Sequence, residues 1–99
     1  FGAMIKGELI VDSGCEKALI AEGSSLLSVG IVEVRGNFDQ GNSVRILSSQ
    51  GREIARGLTN YNSEEIKKIC GKNTNHISKI LGSKLYDEVI HRDNMVIMV

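Results

Sequence analysis

A chain of 99 residues with 41% hydrophobic and 24% charged side chains suits one globular domain, and its 12 basic residues balance 12 acidic ones. A neutral balance weighs against strong, non-specific nucleic-acid binding, which needs an excess of lysine and arginine. No apolar run reaches the roughly 18 residues of a membrane span, and the opening Phe1-Gly2-Ala3-Met4-Ile5-Lys6-Gly7 has neither the charged start nor the apolar core of a signal peptide.

Residues 1–6 read as a linker or cloning remnant, as an internal piece of a longer protein would begin, and residues 7–99 as the domain. Eleven glycines and no proline punctuate that domain into short elements. Gly7–Asp12 is a β-prone apolar run and predicts a strand. Asp12 or Ser13 can cap a helix that Cys15, Ala18 and Leu19 follow at helical spacing, with Gly23 as its stop. Gly23–Ile31 is a Ser/Gly-rich loop. Ile31–Gly36 alternates, with Val32 and Val34 on one face and Glu33 and Arg35 on the other. A turn over Asn37–Asn42 leads to a second such strand, with Val44 and Ile46 opposite Arg45 and Leu47. A tight turn at Gly51 leads to a third strand from Glu53, interrupted at Gly57, where a bulge or close backbone approach is expected. The short turns predict that these three strands pair antiparallel.

The period then becomes helical. Asn62 and Glu65 form a capping-box pattern before Ile66, Ile69 and Cys70, and Gly71 ends that helix. Asn73 or Thr74 caps a second, with Ile77, Ile80 and Leu81 facing inward up to Gly82. Glu88–His91 and Met95–Val99 read as strand pieces around an Arg92-Asp93-Asn94 turn, Asn94 being tolerant of left-handed backbone. The last strand is expected to join the same sheet, giving a small mixed sheet curled into a partial barrel.

Chemistry-bearing residues exclude more than they assign. Cys15 and Cys70 lack Cys-x-x-Cys spacing, which rules out a four-cysteine zinc site and suits reduced, small apolar core residues in a cytosolic protein. His76 and His91 lack zinc-site spacing. Arg35, Arg45, Arg52 and Arg56 fall in a stretch without lysine, and arginine suits bidentate phosphate or carboxylate contacts. His91-Arg92-Asp93 matches the opening of a protein-kinase catalytic loop, but Met98 stands where that loop needs its metal-binding Asn. A turn is the simpler expectation, with Asp93 accepting backbone hydrogen bonds and Arg92 paired locally.

The segment VDSGCEKALIAEGSSLLSVGI (residues 11–31) resembles the opening of a PUA domain, the module named for pseudouridine synthases and archaeosine transglycosylases. In that family a strand ends in Asp, a short helix follows, and a Gly-x-Ser-Leu-Leu loop leads into the next strand. GREIARGLTNYNSEEI resembles its later half. GNFDQG, ISKILG and EVIHRDNMV narrow the resemblance to the C-terminal PUA domain of bacterial glutamate 5-kinases, over roughly residues 7–96. Cys15 replaces a usual Ala and Asn42 a usual Asp.

The resemblance implies a mixed α/β, mainly β, PUA-like pseudo-barrel of about five to six strands with two to three short helices. It also implies a cytoplasmic parent enzyme that uses ATP and Mg²⁺ to phosphorylate the γ-carboxylate of glutamate, the first step of proline synthesis. In that family the chemistry belongs to an N-terminal amino-acid-kinase domain. This chain is therefore expected to hold no catalytic, cofactor or metal site, and its Gly23–Gly30 loop has no phosphate-binding lysine. Two roles compete. One is regulation or assembly, with the chain's own kinase domain and neighbouring subunits of a homo-oligomer as partners and His91, Arg92 and Asp93 as the inter-domain surface. The other is binding of structured RNA through Gly23, Ser24, Ser25 and Gly30, aided by Arg35 and Arg56, while Leu26 and Leu27 plug the barrel. No membrane partner is implied.

Overall fold

The computed structural model describes residues 4–99, so the first three residues of the expected linker lie outside it. Five strands form one mixed sheet: β1 (Ile5–Val11), β2 (Ile31–Gly36), β3 (Ser43–Leu47), β4 (Glu53–Leu58) and β5 (Met95–Ile97). Three helices, α1 (Ser13–Glu22), α2 (Ser63–Ile69) and α3 (Ile77–Leu81), complete the α/β set. β1 begins at Ile5, two residues before the expected strand start at Gly7.

The strand order is β2-β1-β3-β4-β5, which corrects the expected run of three neighbouring antiparallel strands. β1 lies between β2 and β3, antiparallel to the first and parallel to the second. Its apolar run explains the placement. Leu9, Ile10 and Val11 are all buried, and a strand buried on both faces belongs inside a sheet. β3 and β4 pair antiparallel as their short turn requires, and β5 closes the far side against β4.

Val32 does not face the core with Val34. Ile10 pairs with Glu33 and Val11 with Ile31, so Val32 is the unpaired residue of a bulge and is 57% exposed. A similar register break after Ile46 leaves Ile54 unpaired and buried, and Leu47 is buried as well. Glu88–His91 is no strand. Val89 and Ile90 are fully buried, held by a single bridge between Leu26 and Ile90 and by Asn60, whose N–H donates to the Val89 carbonyl at 2.8 Å.

The expected caps are present. The Asp12 carboxylate accepts from the Cys15 N–H at 2.7 Å, and Gly23 ends α1 in the left-handed region, with φ 64°. Asn62 and Glu65 satisfy each other's backbone N–H at 2.8 and 2.9 Å, the expected capping box. In α3, Ile77 is buried and Leu81 packs on the core, but Ile80 lies at the surface. A helix of five residues has room for one buried i, i+4 pair and no wider stripe. The core gathers Leu9, Val11, Val44, Ile46 and Ala55 of the sheet with Leu19, Ile66, Ile69 and Ile77 of the helices. Gly57 is a point of close approach: a Cβ there would lie 2.8 Å from Ile90 and 2.9 Å from the Asn94 carbonyl.

Candidate functional site

The Ser/Gly loop after α1 forms one wall of a cleft of about 330 Å³. Asp12, Gly14, Cys15 and Ala18 from the start of α1 line one side, and Ser24, Ser25, Leu27, Val29 and Gly30 the other. The wall is built by close packing. A Cβ on Gly30 would sit 2.5 Å from the Cys15 Cβ and 2.7 Å from its Sγ, so loop and helix meet with no space for a side chain. The Asp12 N–H donates to the Gly30 carbonyl at 3.0 Å and fixes the same junction. Burial first, and then the Asp12 carboxylate, push the Cys15 thiol up to about 11. A neutral thiol keeps this wall apolar.

The two leucines divide. Leu26 is fully buried and pairs with Ile90, as expected of a barrel plug, whereas Leu27 is 39% exposed at the cleft. Both cysteines are free and half-buried, packed against the core without lying inside it.

The loop and the His91-Arg92-Asp93 turn form one piece of structure. The Arg92 N–H donates to Ser25 Oγ at 2.9 Å, while the Leu26 N–H donates to the Ile90 carbonyl at 2.9 Å. The internal order of the turn differs from expectation. His91 Nδ1 is the acceptor, taking the Asp93 N–H at 3.1 Å, and the Asp93 carboxylate points outward with 82% of its side chain exposed. The reason lies in the geometry of the 3-10 turn over Arg92–Asn94, where the residue before the turn is placed to cap it. Asn94 needs no left-handed backbone, since among the described residues only glycines have positive φ. No ion pair of the Arg92 guanidinium occurs among the described residues.

Arg35 and Arg56 lie elsewhere, in a row across the outer face of the sheet. Register places Arg35 of β2 opposite Glu8 of β1, Glu8 opposite Arg45 of β3, and Arg45 opposite Arg56 of β4. Each arginine is engaged. Arg35 Nε donates to Glu33 at 2.8 Å, Arg45 reaches Glu8 at 3.2 Å, and Arg56 pairs with Glu53. Its hydrogen bond from Arg35 holds the Glu33 carboxyl below the usual carboxylate range, and that from Arg56 does the same for Glu53. Arg45 Nε is buried without a hydrogen bond, though Glu53 lies 3.5 Å away. Three arginines therefore meet three glutamates, and none of these arginines lines the cleft.

Sequence reasoning missed Glu8 and Arg45 as the centre of this row, and Asp12, Cys15, Ala18 and Val29 as cleft walls. Gly7–Asp12 reads as an apolar run, which gives Glu8 no face, and only the strand order shows which strands flank it. Among the described residues no three metal-ligating side chains gather, and no helix is long and apolar enough to cross a membrane.

Residues 7–81 match the family model described as PUA domain. Glutamate 5-kinase of Caldanaerobacter subterraneus is 55% identical over 99% of this chain, and that of Dictyoglomus turgidum 50% identical over 98%. In each case the match covers 26% of the relative, so the chain spans about a quarter of their length. A solved PUA domain from Aeropyrum pernix K1 superposes with a TM-score of 0.60 at 33% identity, covering 64% of this chain and 34% of that one. An archaeal box H/ACA sRNP complex gives 0.59 at 15% identity over 94% of this chain and 23% of that one, a likeness of fold.

Proposed function

Because the chain belongs to the PUA domain family, we propose that it is the non-catalytic PUA module of a glutamate 5-kinase and serves the assembly or regulation of that enzyme. The observation that carries this reading is the 55% identity to a glutamate 5-kinase across 99% of the chain, within an enzyme about four times as long. ATP-dependent phosphorylation of the glutamate γ-carboxylate, with Mg²⁺ at the phosphates, falls to the rest of that cytoplasmic polypeptide. The module's partners are then its own amino-acid-kinase domain and neighbouring subunits, with the exposed His91-Arg92-Asp93 turn as part of the contact. Of the residues an RNA reading would use, Ser24, Ser25 and Gly30 line a cleft whose lining holds no cation, and Gly23 lies outside that lining. Arg35 and Arg56, the expected phosphate contacts, are engaged by glutamates. Both facts favour the enzyme-module reading over RNA.

The test is deletion of the matching quarter from the Caldanaerobacter enzyme. Glutamate phosphorylation should persist, while oligomer size or the response to proline changes. An enzyme unchanged in both after the deletion would remove the role. The 99-residue chain alone, given ATP, Mg²⁺ and glutamate, should form no ADP above a control preparation.

A further inference from the structure

Resting on that reading, we propose that the cleft between α1 and the Ser24–Gly30 loop seats an apolar side chain, flanked by a lysine or arginine, from the catalytic part of the same enzyme. The cleft's lining decides the chemistry. Cys15, Ala18, Leu27 and Val29 give it an apolar floor, and the single charged group at its lip is the Asp12 carboxylate. Among the lining residues a phosphate backbone would meet an anion and no cation, the reverse of what nucleic-acid contacts need, and Arg92 stands on the adjoining turn outside that lining. An apolar side chain would cover Leu27 and Val29, which are 39% and 49% exposed. Asp12 uses one carboxylate oxygen to cap α1. The other has no partner among the described residues and is placed to meet a cation beside that side chain.

The seat is rigid before anything binds. The loop is tied to Ile90 and Arg92 on one side, and to the α2–α3 connection on the other, where Ser28 Oγ donates to the Lys72 carbonyl at 2.7 Å and Ser28 O accepts from the Gly71 N–H at 2.8 Å. A preformed site loses little entropy on docking. A cleft of about 330 Å³ holds one or two side chains, too few for tight binding between separate molecules. Within one polypeptide, effective concentrations of the order of millimolar make such a contact sufficient. The relatives, in which this module is joined to about three times its own length, supply that condition.

Hydrogen exchange tests the idea in a chimera of the Caldanaerobacter enzyme whose matching quarter is replaced by this chain. Backbone exchange over residues 24–30 should be at least about tenfold slower in the chimera than in the 99-residue chain alone, and Val29→Asp should abolish that protection. Val29 is half exposed, so the variant should fold, which circular dichroism can verify. Equal exchange in both contexts, in a chimera that keeps the relative's oligomer size and response to proline, overturns the seat and leaves the parent reading standing. A chimera that differs from the relative's own enzyme in both oligomer size and response to proline overturns the parent reading. Protection that develops only when total tRNA is added overturns the seat in favour of RNA.

Discussion

Gly30→Ala tests how the cleft is built. Gly30 is not among the glycines with positive φ, so the change brings no backbone strain and its cost is steric. The new Cβ would lie 2.5 Å from the Cys15 Cβ and 2.7 Å from Sγ, where ordinary van der Waals contact begins at 3.4 Å. One wall must retreat by nearly an ångström, yet α1 is held by its Asp12 cap and by fully buried Leu19. Overpacking of this kind costs about 3 kcal/mol, and the lost freedom of the unfolded chain returns about 1 kcal/mol. The net loss of about 2 kcal/mol should lower Tm by about 10 °C in a domain of this size. Cys15→Ala removes Sγ but leaves the nearer Cβ, so it should rescue only in part. Cys15→Gly removes both, at about 1 kcal/mol of helix propensity. In that background Gly30→Ala should cost little, giving a coupling of about 1.5 kcal/mol in a double-mutant cycle by urea unfolding. Additivity within about 0.5 kcal/mol, or a harmless Gly30→Ala, would refute the packing argument.

Asn62→Ala should cost about 1 kcal/mol by removing half of the capping box, and an unchanged melting curve would show that the box contributes nothing. Cys15 should alkylate on the order of 100-fold more slowly than a free thiol near neutral pH. Because its folded pKa is raised from 9.0 to about 11, its share of stability is present below 9.0 and is lost as pH rises through about 11; iodoacetamide labelling at ordinary thiol rates would contradict this. Glu53 is shifted the other way. Its carboxyl lies below 4.5 chiefly because of the hydrogen bond from Arg56, so its contribution is present above 4.5 and is lost as pH falls through the lowered value. Carbon NMR titration should find the Glu53 midpoint moving up toward 4.5 in Arg56→Ala, and an unmoved midpoint would dismiss that pair.

Local signals in this sequence were legible because their causes are local. Asp12, Gly23, Asn62 and Glu65 act within one helical turn, and each occupies its expected place. The short turn at Gly51 sufficed to pair β3 with β4. Strand order was not legible, because the insertion of β1 between β2 and β3 answers to total burial and not to any neighbouring residue. The bulge at Val32 was hidden for the same reason: alternation assigns a face only while the register with β1 holds. In the candidate site, the Ser/Gly loop and the His91-Arg92-Asp93 turn stood out as motifs, but their union through Ser25 and Arg92 joins residues far apart in the chain. Arg35 and Arg56 looked available because sequence shows charge without its partner, and Glu33 and Glu53 engage them from their own strands.

A cleft lined by apolar side chains and one carboxylate, beside arginines already engaged by glutamates, suits a protein partner better than phosphate. Fluorescence anisotropy of the 99-residue chain with a pool of tRNA and rRNA hairpins, at about 50 mM and about 200 mM salt, decides between the two. No saturable binding is expected at either concentration. Affinity in the micromolar range or better, falling steeply between the two salts, would mean that several arginines leave their glutamates for phosphates and that the surface serves RNA.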